Sequence, residues 1–279
     1  MAAPTTAPPK PEAGRAAISA RTLRQDRWWI QPTISAAVLL LFIGYATYAA
    51  FQNANYYIKP YISPFYSPCI ASVCNSARAG AEHGIHVPNV GIIGTWWPIS
   101  PAILILVFPL GFRLTCYYYR RAYYRAFWQS PPGCAVAEPH KRYTGETRFP
   151  LIFQNIHRYF FYAGLLFNLI LTYDAVVAFV TPRSPAIGGG YVGLGSFVLL
   201  TNAVLLWLYS ASCHSCRHIV GGRLKHFSKH PVRFWFWGVV SKLNSSHMQF
   251  AWASLIFVGL TDLYVRLAAS GTLGSGRWI

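Results

Sequence analysis

The chain predicts an all-α integral membrane protein: a bundle of five transmembrane helices, with the N-terminus in the cytoplasm and the C-terminus outside. Three observations carry that prediction. Of 279 residues, 54% are hydrophobic and only 11% are charged, where soluble domains carry about 25% charged residues. Five apolar runs reach the roughly 20 residues that a bilayer crossing needs. In lipid such runs must be helices, because a helix satisfies its own backbone hydrogen bonds. Finally, Lys and Arg divide unequally between the two sides of the bundle.

The five runs cover about 29–51, 97–119, 151–180, 192–220 and 246–269. The second is expected to be broken by Pro98, Pro101 and Pro109. Together they define a transmembrane domain over 21–270. Residues 1–20 are rich in Ala, Pro, Thr and Lys without apolar periodicity and read as a disordered cytoplasmic tail. Residues 271–279 read as a short C-terminal tail. The first run is long enough to span and does not have the build of a cleavable signal peptide.

Nineteen of the 24 Lys and Arg fall before the first span, from the end of span two into span three, or from the end of span four to span five. The positive-inside rule makes those segments cytoplasmic. The net charge of +17 is therefore mostly topogenic, and without a recognition pattern of basic and aromatic residues it does not predict nucleic-acid binding. The cytoplasmic segments 120–150 and 221–245 are basic and aromatic, including Arg233-Phe234-Trp235-Phe236-Trp237. They form either a docking face for a soluble partner or an interfacial belt with snorkelling Arg. On the outer side, Cys69 and Cys74 in the long loop 52–96 are expected to form a short disulfide.

Topology brings the inner ends of spans two to five to one depth. Cys116, His157, Cys213, His214, Cys216, His218 and His247 all lie there. A lone buried Cys is usually a small hydrophobe, and a lone His in a span is often an interhelical hydrogen-bonder. Seven such residues at one depth on four helices predict a bound metal centre, since ionisable groups within the membrane are functional candidates. On a continuous helix, Cys213 and Cys216 are i, i+3 with thiols on neighbouring faces. His157 and His247 would close the site from facing helices. Zinc accepts such donors but carries no electrons. Haem b would need two opposed histidines, His157 with His214 or His247. A Rieske-type [2Fe–2S] cluster needs two Cys on one iron and two His on the other. Cys213, Cys216, His157 and His247 meet that count, with His214, His218 and Cys116 as alternatives. No Asp or Glu lies at this level, which excludes a di-iron carboxylate site.

Several long motifs resemble the membrane-anchor subunit of actinobacterial succinate dehydrogenase. They are Tyr117-Tyr118-Tyr119-Arg120-Arg121-Ala122-Tyr123-Tyr124-Arg125 with Ser130-Pro131-Pro132, the stretch Tyr143-Thr144-Gly145-Glu146-Thr147-Arg148-Phe149-Pro150-Leu151, His157-Arg158-Tyr159-Phe160-Phe161-Tyr162, and Cys213 to His218. The likeness runs from about Arg21 to Arg266 and is nearest the mycobacterial complex II class with a single five-span membrane subunit. It implies a complex in the plasma membrane with a flavoprotein subunit that oxidises succinate and an iron–sulfur subunit. It also implies a Rieske-type [2Fe–2S] cluster in the membrane subunit and reduction of a membrane quinone. A haem b anchor remains the alternative.

Quinone reduction needs protons. Asp174 and Asp262 are the acids inside spans and are proton-relay candidates; the competing reading is ion pairing with Arg183 and Arg266. Tyr159, Trp207, Tyr209 and Trp252 are candidates to shape a quinone pocket, against the plainer reading that they face lipid or fill the core. A transporter would carry an internal repeat and mid-membrane helix breaks, and no repeat is evident. A membrane desaturase would need several His boxes, of which His214/His218 with its i, i+4 spacing would be one.

Overall fold

The structure is a computed structural model and describes residues 22, 24–68, 70, 100–139 and 151–273. The expected N-terminal tail, the Cys69–Cys74 pair, the start of span two, the 143–150 motif and the end of the C-terminal tail lie outside the described residues.

Helix α1 runs Ile30–Gln52 and ends on Asn53 in the left-handed conformation (φ 47°), a usual helix stop. A small antiparallel hairpin follows, β1 Tyr57–Ile58 and β2 Tyr61–Ile62, with Tyr57 opposite Ile62. Next come α2, Ala102–Thr115, and α3, Tyr117–Tyr123, the latter continued by a π-turn at Tyr124–Trp128. A 3₁₀ turn at Leu151–Ile156 leads into α4, His157–Val180. The remaining helices are α5 Leu194–Ala211, α6 His214–Gly221, α7 Pro231–Ser245 and α8 His247–Ala269.

Four helical stretches are long and apolar enough to cross a membrane: Ile30–Gln52, Ile152–Val180, Leu194–Ala211 and His247–Ala269. The candidate for a fifth crossing is a bent pair, Ala102–Thr115 with Tyr117–Trp128, turned by 75°. Two expectations need correction here. Span two is not broken at its internal proline: Pro109 lies inside α2, and the break comes at Cys116. Span four is not one helix over 192–220, because α5 stops at Ala211 and α6 begins at His214.

The helices pack as α2 on α4, α4 on α5 and α5 on α8, with α1 against α8. Solvent logic is inverted, as lipid requires. Leu40, Leu41, Leu166, Leu169 and Val176 are exposed, while Asn168, Ser254, Thr261 and Asp262 are buried. Close approach of α2 and α4 depends on two glycines. Gly111 faces the Phe160 ring and Gly164 faces the Phe112 ring, and an added Cβ at Gly111 would overlap the ring it meets. Small residues at membrane helix crossings serve this purpose.

The loop after α1 folds back into the end of the bundle opposite the helix breaks. Tyr66 donates from its hydroxyl to the Ala49 carbonyl (2.9 Å). Ser63 and Ser67 donate to Asp262 and Asp174 respectively. At the basic end a separate buried cluster forms from Phe112, Cys116, Tyr119, Phe161, Tyr209, Cys213, Ala251 and Leu255, with Cys216 partly buried against it.

Candidate metal centre

Two helix breaks build the site, and they are built alike. Cys116 sits alone between α2 and α3 with extended backbone (φ −62°, ψ 132°). Cys213 begins α6 with nearly the same angles (φ −66°, ψ 143°). Each donates its N–H to the carbonyl three residues back, Arg113 (3.2 Å) and Ser210 (3.1 Å). Each accepts from the N–H four residues ahead, Arg120 (2.8 Å) and Arg217 (3.2 Å). One residue therefore ends one helix and caps the next, and its thiol is turned into the bundle. Both thiols are buried, at 1% exposure.

The histidines enter from the other pair of helices. His157 is the first residue of α4 and His247 the first of α8. Nδ1 of His157 lies 2.8 Å from Thr115 Oγ1, and its Nε2 lies 3.2 Å from Cys213 Sγ. Nδ1 of His247 lies 2.7 Å from Ser212 Oγ, and its Nε2 lies 3.3 Å from Cys116 Sγ. The arrangement is crossed: each imidazole is tied to the hydroxyl preceding one cysteine and faces the sulfur of the other. Flat aromatic rings back both. Phe112 stacks on His157 (5.1 Å between centroids, 12°) and Tyr209 on His247 (5.2 Å, 8°).

The hydroxyls favour one tautomer. Thr115 Oγ1 donates its proton to the Gly111 carbonyl at 2.7 Å. Ser212 Oγ donates its own to the Tyr209 carbonyl at 3.0 Å. A hydroxyl has a single proton, so each oxygen can only accept from the imidazole. With those bonds made, Nδ1 of each imidazole donates to its hydroxyl and the Nε2 lone pair faces a thiol.

The break segments correspond at four positions. Phe112, Thr115, Cys116 and Arg120 match Tyr209, Ser212, Cys213 and Arg217 at the same offsets. This aromatic-x-x-hydroxyl-Cys-x-x-x-Arg repeat is short and was missed in the sequence reading, as were Thr115 and Ser212. The signal was available as a Ser/Thr-Cys pair at the inner end of two spans.

The structure brings together His157, His247 and Cys213, with Cys116 in the fourth place. Cys216 lies in the first turns of α6, half-buried, and takes neither sulfur position beside the histidines. The i, i+3 argument for Cys213 and Cys216 fails because the helix is interrupted at Cys213. His214 and His218 are exposed on α6. Among the described residues no three His, Cys, Asp or Glu side chains converge as on a single ion; the donors form two Cys–His couples instead.

The other candidates are dispersed. Asp262 is fully buried and accepts from Tyr45 (2.5 Å), from Ser63 and from Arg266 Nε (2.8 Å). Arg266 also holds Gln52 Oε1 (2.6 Å) and the carbonyls of Ala54 (2.7 Å) and Ala49 (2.8 Å). That is the ion-pair reading. Asp174 is buried with the Ser67 hydroxyl at 2.5 Å, while Arg183 reaches the Ile187 carbonyl at 3.3 Å. Tyr159 is 71% exposed. Trp207 donates to Thr172 Oγ1 (2.8 Å), Trp252 donates to the Tyr118 hydroxyl (2.5 Å), and Tyr209 is spent on His247. These four do not line one pocket.

A cleft does adjoin the centre. It has a volume of about 600 Å³ and lies between α1, α2 and the 3₁₀ entry to α4, with Leu39, Leu114, Tyr123, Phe153 and Phe160 on its walls. Arg113, Thr115 and Gln154 supply polar groups.

Fold and site together define a multi-pass helical membrane protein with two thiols and two imidazoles gathered at one end of the bundle. The family model for the actinobacterial succinate dehydrogenase subunit SdhC matches residues 30–271, and the chain belongs to that family. It is therefore a membrane subunit of a succinate dehydrogenase, resident in the plasma membrane. It is similar to a chain in the solved structure of the Mycobacterium smegmatis Sdh1 complex in the apo form. Identity is 53%, coverage is 90% of this chain and 91% of that chain, and the TM-score is 0.77. A comparison with curated proteins found no match.

Proposed function

We propose that this subunit relays electrons from the iron–sulfur subunit of its complex to a membrane quinone through a Rieske-type [2Fe–2S] cluster. Cys116 and Cys213 would hold one iron, and His157 and His247 the other. The observation that supports this most directly is the crossed donor set, in which Nε2 of each imidazole faces a cysteine sulfur. Metal-bound histidines commonly donate their other N–H to an outer partner, and here each does so. The donor chemistry fits: two thiols and two imidazoles are the Rieske complement. Haem fits less well, because the imidazole faces that would coordinate it look onto cysteine sulfurs at 3.2 and 3.3 Å.

The cluster, when bound, supplies a one-electron carrier whose potential His ligation raises relative to all-Cys ligation. The chain's own contributions are separate. The two breaks aim the thiols, Thr115 and Ser212 orient the imidazoles, and Phe112 and Tyr209 cover them against water. The cytoplasmic segments 120–150 and 221–245 would dock the iron–sulfur subunit, and the flavoprotein subunit would join through it. The quinone ring would occupy the 600 Å³ cleft, a size ordinary for ligand sites. One of its walls is Thr115, next in sequence to Cys116.

The test is iron and acid-labile sulfide analysis with paramagnetic resonance on the purified complex, in wild type, Cys116→Ser and Cys216→Ser. The expected result is a reducible low-g signal in wild type and in Cys216→Ser, and its loss in Cys116→Ser. A wild-type complex whose membrane subunit adds no iron or sulfide overturns the relay. Loss of the signal in Cys216→Ser with retention in Cys116→Ser overturns the ligand set.

A further inference from the structure

The match between the two break segments fails at one position that matters electrostatically. Three residues before Cys213 stands Ser210, and three before Cys116 stands Arg113. In sequence Arg113 passes for one more topogenic charge. In the structure it is buried, at 9% exposure. Its guanidinium donates to Tyr119 (2.9 Å), Ser254 Oγ (3.1 Å) and the Ala251 carbonyl (3.4 Å). Among the described residues none of its partners is a carboxylate. It lies over the Tyr209 ring at 4.7 Å, and that ring also stacks on His247.

Arg stays charged in proteins. Removing an ion from water costs several kcal/mol unless something compensates. The neutral dipoles around Arg113 compensate only in part, and a buried cation within the membrane calls for a named partner. We infer that this partner is the electron itself: Arg113 is a positioning residue that stabilises the reduced form of the centre. The inference rests on the cluster proposed above. Two ferric ions, two sulfides and two thiolates sum to zero formal charge. One electron, taken from the iron–sulfur subunit and later passed to quinone, makes the centre mononegative. A fixed cation on the helix that carries Cys116 therefore favours the reduced state over the oxidised one. At an effective dielectric of about 20, a unit charge some 10 Å away shifts that equilibrium by roughly tenfold.

The experiment is a redox titration of the intact complex followed by paramagnetic resonance, with wild type, Arg113→Gln and Arg113→Lys. Arg113→Gln is expected to keep the signal and lower the reduction equilibrium about tenfold, which is about 59 mV for a one-electron couple. Arg113→Lys keeps the charge without the guanidinium's fork of hydrogen bonds, and is expected to restore most of the shift. An intact signal at unchanged potential in Arg113→Gln overturns the inference, as does an equal shift in both variants. Should Arg113→Gln fail to assemble, Arg113→Lys decides: a potential near wild type supports the charge, and a tenfold drop with the charge retained refutes it. Absence of the signal in wild type is a different failure and removes the cluster itself.

Discussion

Thr115→Val tests the tautomer argument at its most exposed step. The substitution is nearly isosteric and removes the acceptor of the His157 Nδ1–H together with the hydroxyl's bond to the Gly111 carbonyl. Thr115 is buried and its Oγ1 already spends its proton on Gly111. With valine the imidazole N–H has no partner at that position. Leaving a buried donor unsatisfied costs about 1–3 kcal/mol. The imidazole can escape the cost by shifting its proton to Nε2 or by rotating, and either withdraws the lone pair from the site. Loss of an outer partner of a metal-bound histidine typically lowers metal affinity by about 10–100-fold, which is about 1.4–2.8 kcal/mol. The two ranges agree, so the whole penalty is expected in cluster retention. The assay is loss of iron, sulfide and resonance signal from the purified complex against rising chelator, for wild type, Thr115→Val and Thr115→Ser. Thr115→Val should release iron at about one-tenth or less of the wild-type chelator concentration, while Thr115→Ser, which keeps the oxygen, should lie within about threefold of wild type. Wild-type chelator resistance and line shape in Thr115→Val would refute the reasoning.

Ser212→Ala should repeat this behaviour through His247. Asp262→Ala strands the Arg266 guanidinium and should cost about 3–5 kcal/mol in thermal unfolding of the complex, while Asp262→Ala/Arg266→Met should recover most of that; a small effect of the single variant would contradict a buried ion pair that anchors the 53–68 loop. Asp174→Asn separates relay from scaffold, since a proton relay predicts slowed quinone reduction with unchanged reduction of the centre by succinate, and equal rates of both steps would remove Asp174 from the proton path. Gly164→Val pushes the Phe112 ring toward His157 and should destabilise by about 1–3 kcal/mol while altering the resonance line shape; an unchanged line shape would mean that Phe112 does not hold the imidazole.

The spans were legible because the physics behind them is coarse: apolar length fixes a crossing. α1, α4 and α8 fall close to their expected bounds for that reason. The breaks were not legible. Pro109 carries a strong sequence signal and yet sits inside α2, while Cys116 and Cys213 carry none and end helices. A helix end in a bundle is set by what can receive its orphaned backbone groups, and here those groups are shared across one extended residue. No local propensity encodes that. The same miss explains Cys216. Its helical spacing to Cys213 was sound only if the helix continued. Depth, by contrast, was legible from topology, and it placed His157 and His247 correctly opposite the Cys213 segment.

Why should the cysteines sit at breaks rather than on helix faces? On a continuous helix a thiol shares its face with residues three and four positions away, and the backbone amides around it are all engaged. At Cys116 and Cys213 the residue instead caps a new helix, whose N-terminal end carries partial positive charge. Negative charge on sulfur is better placed there than at mid-helix. Both histidines also start helices, so four chain segments present helix N-termini near one buried point. All four favour negative charge, and the two thiolates plus one added electron are the negative charges that the proposed centre would bring. Arg113 acts in the same direction from one side only. The half carrying Cys116 is therefore the more electropositive of two otherwise matched halves, and it borders the cleft assigned to quinone through Thr115. If that asymmetry steers the electron, moving the charge should matter more than deleting it. Arg113→Ser with Ser210→Arg keeps composition and net charge while exchanging the halves. It should hold the potential of the centre near wild type and slow transfer to quinone relative to reduction by succinate. Wild-type turnover in that exchanged variant would show that the cation sets only the potential and not the route.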